Sequence, residues 1–257
     1  MKYTLITGAS GGIGMELARV YAEEANNLIL VARSEDKLNT LAVELESQYG
    51  VVAHPFACDL SNPEEAKKLV YWTREKGYEV ETLINNAGFG SYGEFHKSNW
   101  KNEQEMLQLN IMTLMYLTRA YLPSMVFRGR GGVLNVASVA GFAPGPRMAN
   151  YYASKAYVLS FTEALAGELR KTKLKIAALC PGPVQTGFQA RSKMDMSKRA
   201  VKAVYQGISA KEVARYAYDR YQAGEVVILP GTMTKVASIL SRVAPKKVVR
   251  WIMSRAQ

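Results

Sequence analysis

Short apolar runs alternate with longer amphipathic segments along the first 180 residues, and this alternation constrains the fold more than any other feature. The runs are almost continuously apolar, which is typical of parallel strands that are covered on both faces. They are Tyr3–Thr7, Leu28–Ala32, Val51–Ala57, Leu83–Asn85, Gly132–Ala137 and Ile176–Cys180. The helix-like segments between them are Gly12–Glu24, Glu35–Tyr49, Pro63–Lys76, Asn102–Phe127 and Tyr151–Lys171.

Parallel strands joined through helices need crossover connections, so the pattern predicts an α/β fold. We expect a doubly wound, mostly parallel sheet with helices on both faces. A further run, Val226–Leu229, ends at Pro230-Gly231 and would make the sheet seven-stranded. No linker-like or repetitive tract divides the chain, so we expect residues 1–257 to form one domain.

The composition excludes several classes of protein. With 48% hydrophobic residues the chain is not disordered, and no run approaches the roughly 18 apolar residues of a membrane-spanning helix. Glycines interrupt the N-terminus before a secretory segment could form, so we expect no signal peptide and a cytoplasmic protein. Because Cys58, Cys180, His54 and His96 show no metal-ligand spacing, no metal site is expected.

The positive charge is concentrated near the C-terminus. The chain has 33 basic and 22 acidic residues, and residues 191–257 hold 14 of the basic but only 4 of the acidic ones. The basicity therefore describes the last quarter of the chain and says little about the rest. No motif that reads nucleic acid accompanies it, so a nucleic-acid partner is not expected.

A glycine-rich turn follows the first apolar run in Thr7-Gly8-Ala9-Ser10-Gly11-Gly12-Ile13-Gly14. Glycines permit a tight turn and let a pyrophosphate approach the N–H groups at a helix N-terminus. The spacing is wider than the common GxGxxG fingerprint, and an ordinary turn is the alternative. Its place between the first strand and the first helix favours dinucleotide binding.

The second strand ends at Arg33 and Ser34, with Lys37 one helical turn later. A guanidinium suits a ribose 2′-phosphate, whereas NAD-selecting sites usually place a carboxylate here. The alternative is a solvated arginine at the start of a helix. Together with the glycine turn, Arg33 favours NADP(H).

Tyr151 and Lys155 lie four residues apart at the start of a helical segment, so their side chains share one helix face. A nearby ammonium stabilises a phenolate, which would let Tyr151 act as general acid or base near neutral pH. Ser138, at the end of a strand, could hydrogen-bond the same substrate oxygen, and Asn110 could hold a water that relays protons to Lys155. Each of these residues also has an ordinary interpretation. Tyr151 and Lys155 could be a surface pair, and Ser138 could be a helix cap. Asn110 could be a core amide that hydrogen-bonds a neighbouring backbone group.

Taken together, these residues resemble the short-chain dehydrogenase/reductase family over roughly residues 1–190. The resemblance rests on residues 7–14, Asn85-Asn86-Ala87-Gly88, Asn110, Ser138, Tyr151, Lys155 and Pro181-Gly182-Pro183-Val184-Gln185-Thr186. It implies a Rossmann fold and a catalytic tetrad of Asn110, Ser138, Tyr151 and Lys155.

The same resemblance implies an NADP(H) site. Asp59 and Leu60 would contact the adenine, Asp59 through its amide, and Lys155 would hold the nicotinamide ribose. Gly11 stands where other NADP-preferring members carry a basic residue, so recognition of the 2′-phosphate rests mainly on Arg33. The implied cofactor contacts are Gly8, Ser10, Gly12, Ile13, Gly14, Arg33, Ser34, Lys37, Asp59, Leu60, Asn86, Ala87, Gly88, Tyr151, Lys155, Pro181, Gly182, Val184 and Thr186.

The expected activity is NADP(H)-dependent interconversion of a ketone and a secondary alcohol. Residues 185–210 occupy the place of the family's substrate lid, and Met148 and Tyr92 would add apolar lining or serve as core. A hydrophobic substrate is expected: a steroid, a fatty-acyl ketone or an aromatic ketone. The alternatives are a 3-oxoacyl thioester reductase, a hydroxysteroid dehydrogenase and, from a different class, a non-catalytic NADP(H)-sensing regulator.

Residues 232–257 form a basic amphipathic extension. Val236, Ile239, Leu240 and Val243 recur at helical spacing, and Pro245 breaks the pattern. Such a segment can pack on its own or a partner subunit, lie on an anionic membrane as a peripheral contact, or bind an acidic substrate. The resemblance also implies a homodimer or homotetramer built through the segments Asn102–Phe127 and Tyr151–Lys171.

Overall fold

The computed structural model describes residues 1–184 and 208–255. Seven parallel strands form one sheet in the order β3-β2-β1-β4-β5-β6-β7. They are β1 (Lys2–Thr7), β2 (Asn27–Ala32), β3 (Ala53–Ala57), β4 (Glu79–Asn85), β5 (Gly132–Val136), β6 (Lys175–Leu179) and β7 (Val227–Ile228). The predicted doubly wound, seven-stranded α/β fold is therefore confirmed.

Nine α-helices lie in the part of the chain that the structure describes. They are α1 (Gly12–Glu23), α2 (Glu35–Tyr49), α3 (Pro63–Glu75), α4 (Trp100–Leu107), α5 (Leu114–Arg128), α6 (Ala149–Glu168), α7 (Ala210–Gln222), α8 (Thr232–Val243) and α9 (Lys246–Arg255). Two short 3₁₀ helices, Phe95–Lys97 and Val139–Phe142, lie in loops after β4 and β5. Among the described helices, none is both long and apolar enough to cross a bilayer.

The sheet is covered on both faces, which explains why its strands are apolar at consecutive positions. In β1, Ile6 points into a cluster with α1, α2 and α7, whereas Leu5 points into a second cluster with α3 and α5. Both side chains are fully buried. The apolar runs in the sequence thus reflect a strand with a core on each side.

The segment predicted as one helix over Asn102–Phe127 is divided in the structure. A π-helical turn, Gln108–Thr113, separates α4 from α5 and contains Asn110. Such turns insert one extra residue into a helix and are frequently found at functional sites. Apolar periodicity does not reveal them, because the register shifts by only one position.

The strand order reverses direction at β1, since β1 pairs with β2 on one side and with β4 on the other. The crossover helices on the two sides therefore diverge, and a crevice opens beyond the carboxyl ends of the strands. Ligands of doubly wound sheets bind at this switch point.

Candidate active site

A cleft of about 480 Å³ opens at this edge of the sheet, beyond the ends of β1, β4, β5 and β6. A smaller cleft of about 160 Å³ shares part of its wall and contains Asp59 and Leu60. The large cleft is lined by most of the predicted residues, namely Gly8, Ser10, Gly12, Ile13, Arg33, Ser34, Lys37, Asn86, Ala87, Gly88, Ser138, Tyr151, Lys155, Pro181, Gly182 and Val184.

Two predicted site residues that the structure describes do not line either cleft. Gly14 and Asn110 lie behind the wall of the cleft and do not line it. Gly14 instead lets α1 pack on the turn, because a Cβ there would come within 2.3 Å of the Gly8 carbonyl oxygen. Thr186 lies outside the described residues, as does most of the predicted substrate lid over 185–210.

The glycine turn is held by the segment that follows β4. Asn86 Nδ2 donates to the carbonyl oxygens of Thr7 at 2.9 Å and Gly8 at 3.2 Å. The Thr7 hydroxyl oxygen accepts from the backbone N–H groups of Asn86 and Ala87, each at 2.9 Å. Gly8 has φ 69°, and a Cβ there would come within 2.7 Å of Asn86 Nδ2. The turn therefore requires glycine and is rigidly placed beneath the cleft.

The N-terminus of α1 is open toward the cleft. Its N-cap residue, Gly11, makes no side-chain cap, and Gly12 and Ile13 line the cleft. A helix N-terminus carries partial positive charge and unsatisfied N–H groups, so it suits a pyrophosphate.

Arg33 lies exposed at the end of β2, on the wall that the two clefts share. Among the described residues no carboxylate forms an ion pair with it. Glu35 and Asp36 instead occupy the first turn of α2, where they interact favourably with the helix dipole. The guanidinium is therefore available to an anionic group in the cleft.

Tyr151 and Lys155 share one face of α6 as their spacing predicts. Lys155 Nζ lies 5.9 Å from the centroid of the Tyr151 ring and donates to the Val136 carbonyl oxygen at 2.8 Å. Lys155 is only 6% exposed, whereas Tyr151 is half-buried and faces the cleft. A phenol open to the cleft thus lies next to a cation held from behind by the end of β5.

Burial lowers the pKa of Lys155 to about 8. That value is still above 7, so the ammonium form of Lys155 predominates at neutral pH. A positive charge in such a poorly solvated place stabilises a neighbouring phenolate more strongly than it would in water. The Lys155 ammonium is therefore placed to stabilise a phenolate on Tyr151 if that residue gives up its proton.

Ser138 begins the 3₁₀ helix Val139–Phe142 and lines the cleft. Its Oγ accepts from the Ala140 N–H at 3.1 Å. Because that bond uses only the oxygen, the hydroxyl proton can still be donated to a ligand. Ser138 is therefore both a helix cap and a hydrogen-bond donor at the cleft.

Asn110 joins the loop after β4 to α6. Its Oδ1 accepts from Phe89 N–H at 3.2 Å, and its Nδ2 donates to the Phe89 carbonyl at 3.0 Å and to Ser154 Oγ at 3.1 Å. A Cβ on Gly88 would come within 2.9 Å of Asn110 Oδ1 and 3.6 Å of Lys155 Nζ. Asn110 is therefore a positioning residue in this geometry, and its role in a water relay stays a prediction.

Several lining residues are absent from the sequence-based site. Phe89 and Tyr152 line the large cleft, and Cys58 lines the small one. Phe89 directly follows the Asn-Asn-Ala-Gly motif, which is the signal that could have found it. Burial raises the pKa of the Cys58 thiol to about 12, which disfavours the reactive thiolate form.

The two residues considered for apolar lining differ. Met148 is buried and lines the cleft. Tyr92 does not line it, and instead the Arg147 guanidinium lies 5.3 Å from the centroid of its ring. Gly93 N–H also donates to the Arg147 carbonyl oxygen at 2.8 Å, which joins the loop after β4 to the loop before α6.

Residues 2–197 match the family model described as short chain dehydrogenase. An uncharacterised oxidoreductase of Staphylococcus saprophyticus is 32% identical over 210 residues, which are 79% of this chain and 90% of that protein. The ketoacyl reductase HetN of Nostoc is also 32% identical, over 97% of this chain and 87% of HetN. A short-chain dehydrogenase from Sphingobium yanoikuyae in complex with NADPH has a TM-score of 0.85 and 30% identity over 99% of this chain and 95% of its own.

Proposed function

Since the chain belongs to the short-chain dehydrogenase/reductase family, we propose that it is an NADP(H)-dependent oxidoreductase that interconverts a ketone and a secondary alcohol. One observation carries the proposal: the Tyr151 phenol lies beside the buried Lys155 ammonium in a cleft at the switch point of the sheet. A binding protein has no need for a buried cation next to a phenol.

The residues of the cleft fit a dinucleotide. Gly8 and Gly88 line the cleft without side chains, and a Cβ at either position would collide with Asn86 or Asn110. Both positions therefore require glycine, which also lets a ligand approach the backbone there. In our proposal the N-terminus of α1 binds the pyrophosphate, and Arg33, with Ser34 and Lys37 beside it, binds the ribose 2′-phosphate. The similar Sphingobium enzyme, whose structure contains NADPH, supports this choice of cofactor.

When bound, the nicotinamide supplies or accepts a hydride. In reduction, Tyr151 donates its phenolic proton to the substrate oxygen, and the Lys155 ammonium stabilises the phenolate that is left. Ser138 donates its hydroxyl proton as a hydrogen bond to the same oxygen and so orients the carbonyl. Asn110 hydrogen-bonds both the loop at Phe89 and Ser154 near the start of α6, and so fixes the position of one relative to the other. This holds Tyr151 in place.

A 3-oxoacyl thioester is a more specific candidate substrate. Similarity to HetN, a ketoacyl reductase, over nearly the whole chain favours it. The cleft that contains Tyr151 is also lined by Val139, Ala140 and Met148, whose side chains suit an apolar substrate.

The test is an NADPH-consumption screen over 3-oxoacyl thioesters, ketosteroids and aromatic ketones, repeated with NADH. We expect turnover with NADPH, and we expect Tyr151→Phe to lose it by about 10²–10⁴-fold while binding NADPH normally. Tyr152→Phe is the matched control and should lose less than tenfold. A Tyr151→Phe protein with full turnover would refute the mechanism, and a clear NADH preference would refute the role given to Arg33.

We also propose that the protein forms a homodimer or homotetramer through α5 and α6. Tyr116 and Phe127 on α5 and Tyr157 on α6 are exposed, and Phe127 is 93% exposed. Such side chains gain free energy when a second subunit covers them. Light scattering should show an oligomer for the native chain and a smaller species for Phe127→Glu; an unchanged mass would refute this contact.

A further inference from the structure

Helix α8 presents its apolar side to solvent. Val236, Ile239, Leu240 and Val243 are each at least 51% exposed, whereas Ser238 is only 3% exposed. Ser238 and Ser241 satisfy their hydroxyls within the helix, by donating to the carbonyl oxygens of Lys235 and Ser238. An amphipathic helix of a water-soluble protein normally buries its apolar side. In α8 the apolar side faces solvent and the side with Ser238 faces the protein.

Helix α9 continues the exposed apolar surface. Val248, Trp251 and Ile252 are 45–55% exposed, and no residue of the helix is buried. Among them lie Lys246, Lys247, Arg250 and Arg255, and the sequence contains no acidic residue after Glu225. We refer to the exposed apolar and basic side chains of α8 and α9 as the tail surface.

The chemistry of the tail surface defines what can cover it. The partner must accept apolar side chains and must also carry negative charge, because no acid of the tail compensates the lysines and arginines. Helices of 12 and 10 residues are too short to cross a bilayer. A basic helix with Trp, Ile and Val on its apolar face is typical of segments that lie in the interface of an anionic membrane.

The tail surface begins beside the cleft. α8 contacts the 3₁₀ helix Val139–Phe142, which starts at Ser138. Thr234 lies against Gly182, where a Cβ would come within 3.0 Å of Thr234 Oγ1. Gly182 itself lines the cleft. The face of α8 opposite to the tail surface makes these contacts, so whatever binds the tail surface lies one helix diameter, roughly 10 Å, from the wall of the cleft.

We propose that α8 and α9 dock this protein on the surface of a bilayer that contains anionic phospholipid. The apolar side chains enter the acyl boundary, and the lysines and arginines contact the phosphates. If the proposed function holds, docking brings the catalytic end of the cleft to the place where a hydrophobic carbonyl substrate is dissolved.

The direct test is flotation of the full chain with vesicles. We expect it to float with vesicles of phosphatidylglycerol and phosphatidylcholine, and to stay in solution with phosphatidylcholine alone. Raising the salt concentration should weaken the binding, because the contact with phosphates is screened. The fluorescence of Trp251 should shift to the blue on binding, and Trp251→Ser should remove that shift.

Two pairs of variants separate the apolar contribution from the charged one. Ile239→Ser/Trp251→Ser should lower vesicle partitioning at least tenfold, whereas Val43→Ser/Tyr71→Ser, equally exposed on α2 and α3, should not. Since a lysine at an anionic surface is worth about fivefold in partitioning, Lys246→Glu/Lys247→Glu should lower it about 25-fold or more. The matched control is Lys171→Glu/Lys173→Glu, which lies outside the tail.

Three results would overturn the proposal. The native chain fails to float with anionic vesicles, or the control variants lose as much binding as the tail variants. In the third, Ile239→Ser/Trp251→Ser lowers the oligomer mass in light scattering but floats with anionic vesicles as well as the native chain does, which would make the tail surface a contact between copies of this chain. Flotation requires no turnover, so failure of the proposed activity would leave this test intact.

Discussion

Proteins usually expose charged side chains and bury apolar ones. The cleft breaks this rule by burying a charge, and the tail surface breaks it by exposing apolar side chains. In the cleft a lysine is buried with one hydrogen-bond acceptor, the Val136 carbonyl. In the tail, seven large apolar side chains are exposed on two helices that have basic residues beside them. Both departures cost folding free energy, and both place chemistry where a ligand can use it. A buried charge and an exposed apolar surface are therefore both places to look for function.

Among substitutions that distinguish the cleft from the tail surface, a change of Lys155 should have the largest effect. Lys155→Met should lower turnover by at least 10²-fold, because the phenolate loses its cation. The same change should raise the free energy of unfolding at pH 7 by about 1–3 kcal/mol, since it removes a buried charge. Chemical denaturation and a turnover assay measure the two quantities. A variant that is both inactive and less stable would indicate that Lys155 holds the fold together instead.

The pH dependence of stability gives an independent check of the same residue. The pKa of Lys155 is about 8 in the folded protein and near its ordinary 10.5 when unfolded. Between these values the unfolded chain binds more protons, so this group makes the protein more stable as the pH rises from 8 toward 10.5. The native chain should therefore approach Lys155→Met in stability over that window. Equal slopes for the two proteins would contradict the lowered pKa.

A smaller effect is expected where the cleft requires glycine. Gly14→Ala places a Cβ within 2.3 Å of the Gly8 oxygen and 2.4 Å of Asn86 Nδ2. We expect a loss of about 1–3 kcal/mol in stability and weaker NADPH binding. Gly11→Ala is the matched control, because a Cβ there meets nothing within 4 Å. If the two variants unfold at the same denaturant concentration, the packing of α1 on the turn is looser than described.

Gly11 also allows the charge of the cleft to be changed without a steric cost. Its backbone is extended, with φ 175°, so a side chain is tolerated. Gly11→Arg should tighten NADPH about 5–10-fold relative to NADH by adding a second cation for the 2′-phosphate. Arg33→Ala should lower the affinity for NADPH relative to the affinity for NADH. Titration of cofactor fluorescence measures both, and an unchanged ratio in both variants would place the 2′-phosphate elsewhere.

The smallest effect is expected in the tail. Leu240→Ala should change the free energy of unfolding by less than about 0.5 kcal/mol, because the leucine is 58% exposed. Leu17→Ala, at a fully buried position of α1, should cost about 2–5 kcal/mol. A large loss for Leu240→Ala would mean that a partner covers the tail already in solution.

The fold was largely predictable because its signal is repeated along the chain. The predicted helix Glu35–Tyr49 agrees with α2 at both ends, since Ser34 and Gly50 bound it. The π-helical turn at Asn110 was not predictable from periodicity. The unfavourable amide within an apolar helix did, however, single out the residue around which the turn forms.

Most of the residues that line the cleft could be predicted, but the sequence did not show which of the predicted residues lie behind its wall. The residues at the ends of β1, β2, β4, β5 and β6 are brought to one cleft, as a parallel sheet requires. Which of them face the ligand depends on packing between distant segments. Gly14 faces Gly8, and Asn110 faces Phe89, and neither contact leaves a trace in the local sequence.

The orientation of the tail illustrates the same limit. The spacing of Val236, Ile239, Leu240 and Val243 predicts their common helix face, and Pro245 separates α8 from α9. Spacing carries no information about whether that face is turned inward or outward. The outward direction follows from contacts of the opposite face with the loops around Gly182.

The order of the strands has a consequence for synthesis of the protein on the ribosome. β1 is made first but lies inside the sheet, between β2 and β4, and β4 begins only at Glu79. The walls of the cleft are contributed by segments as far apart as Gly8 and Val184. A nascent chain therefore lacks the complete cleft until about seven-tenths of it has been translated. The free edge of β1 must be protected by chaperones or by rapid folding for a shorter time, until β4 has been made.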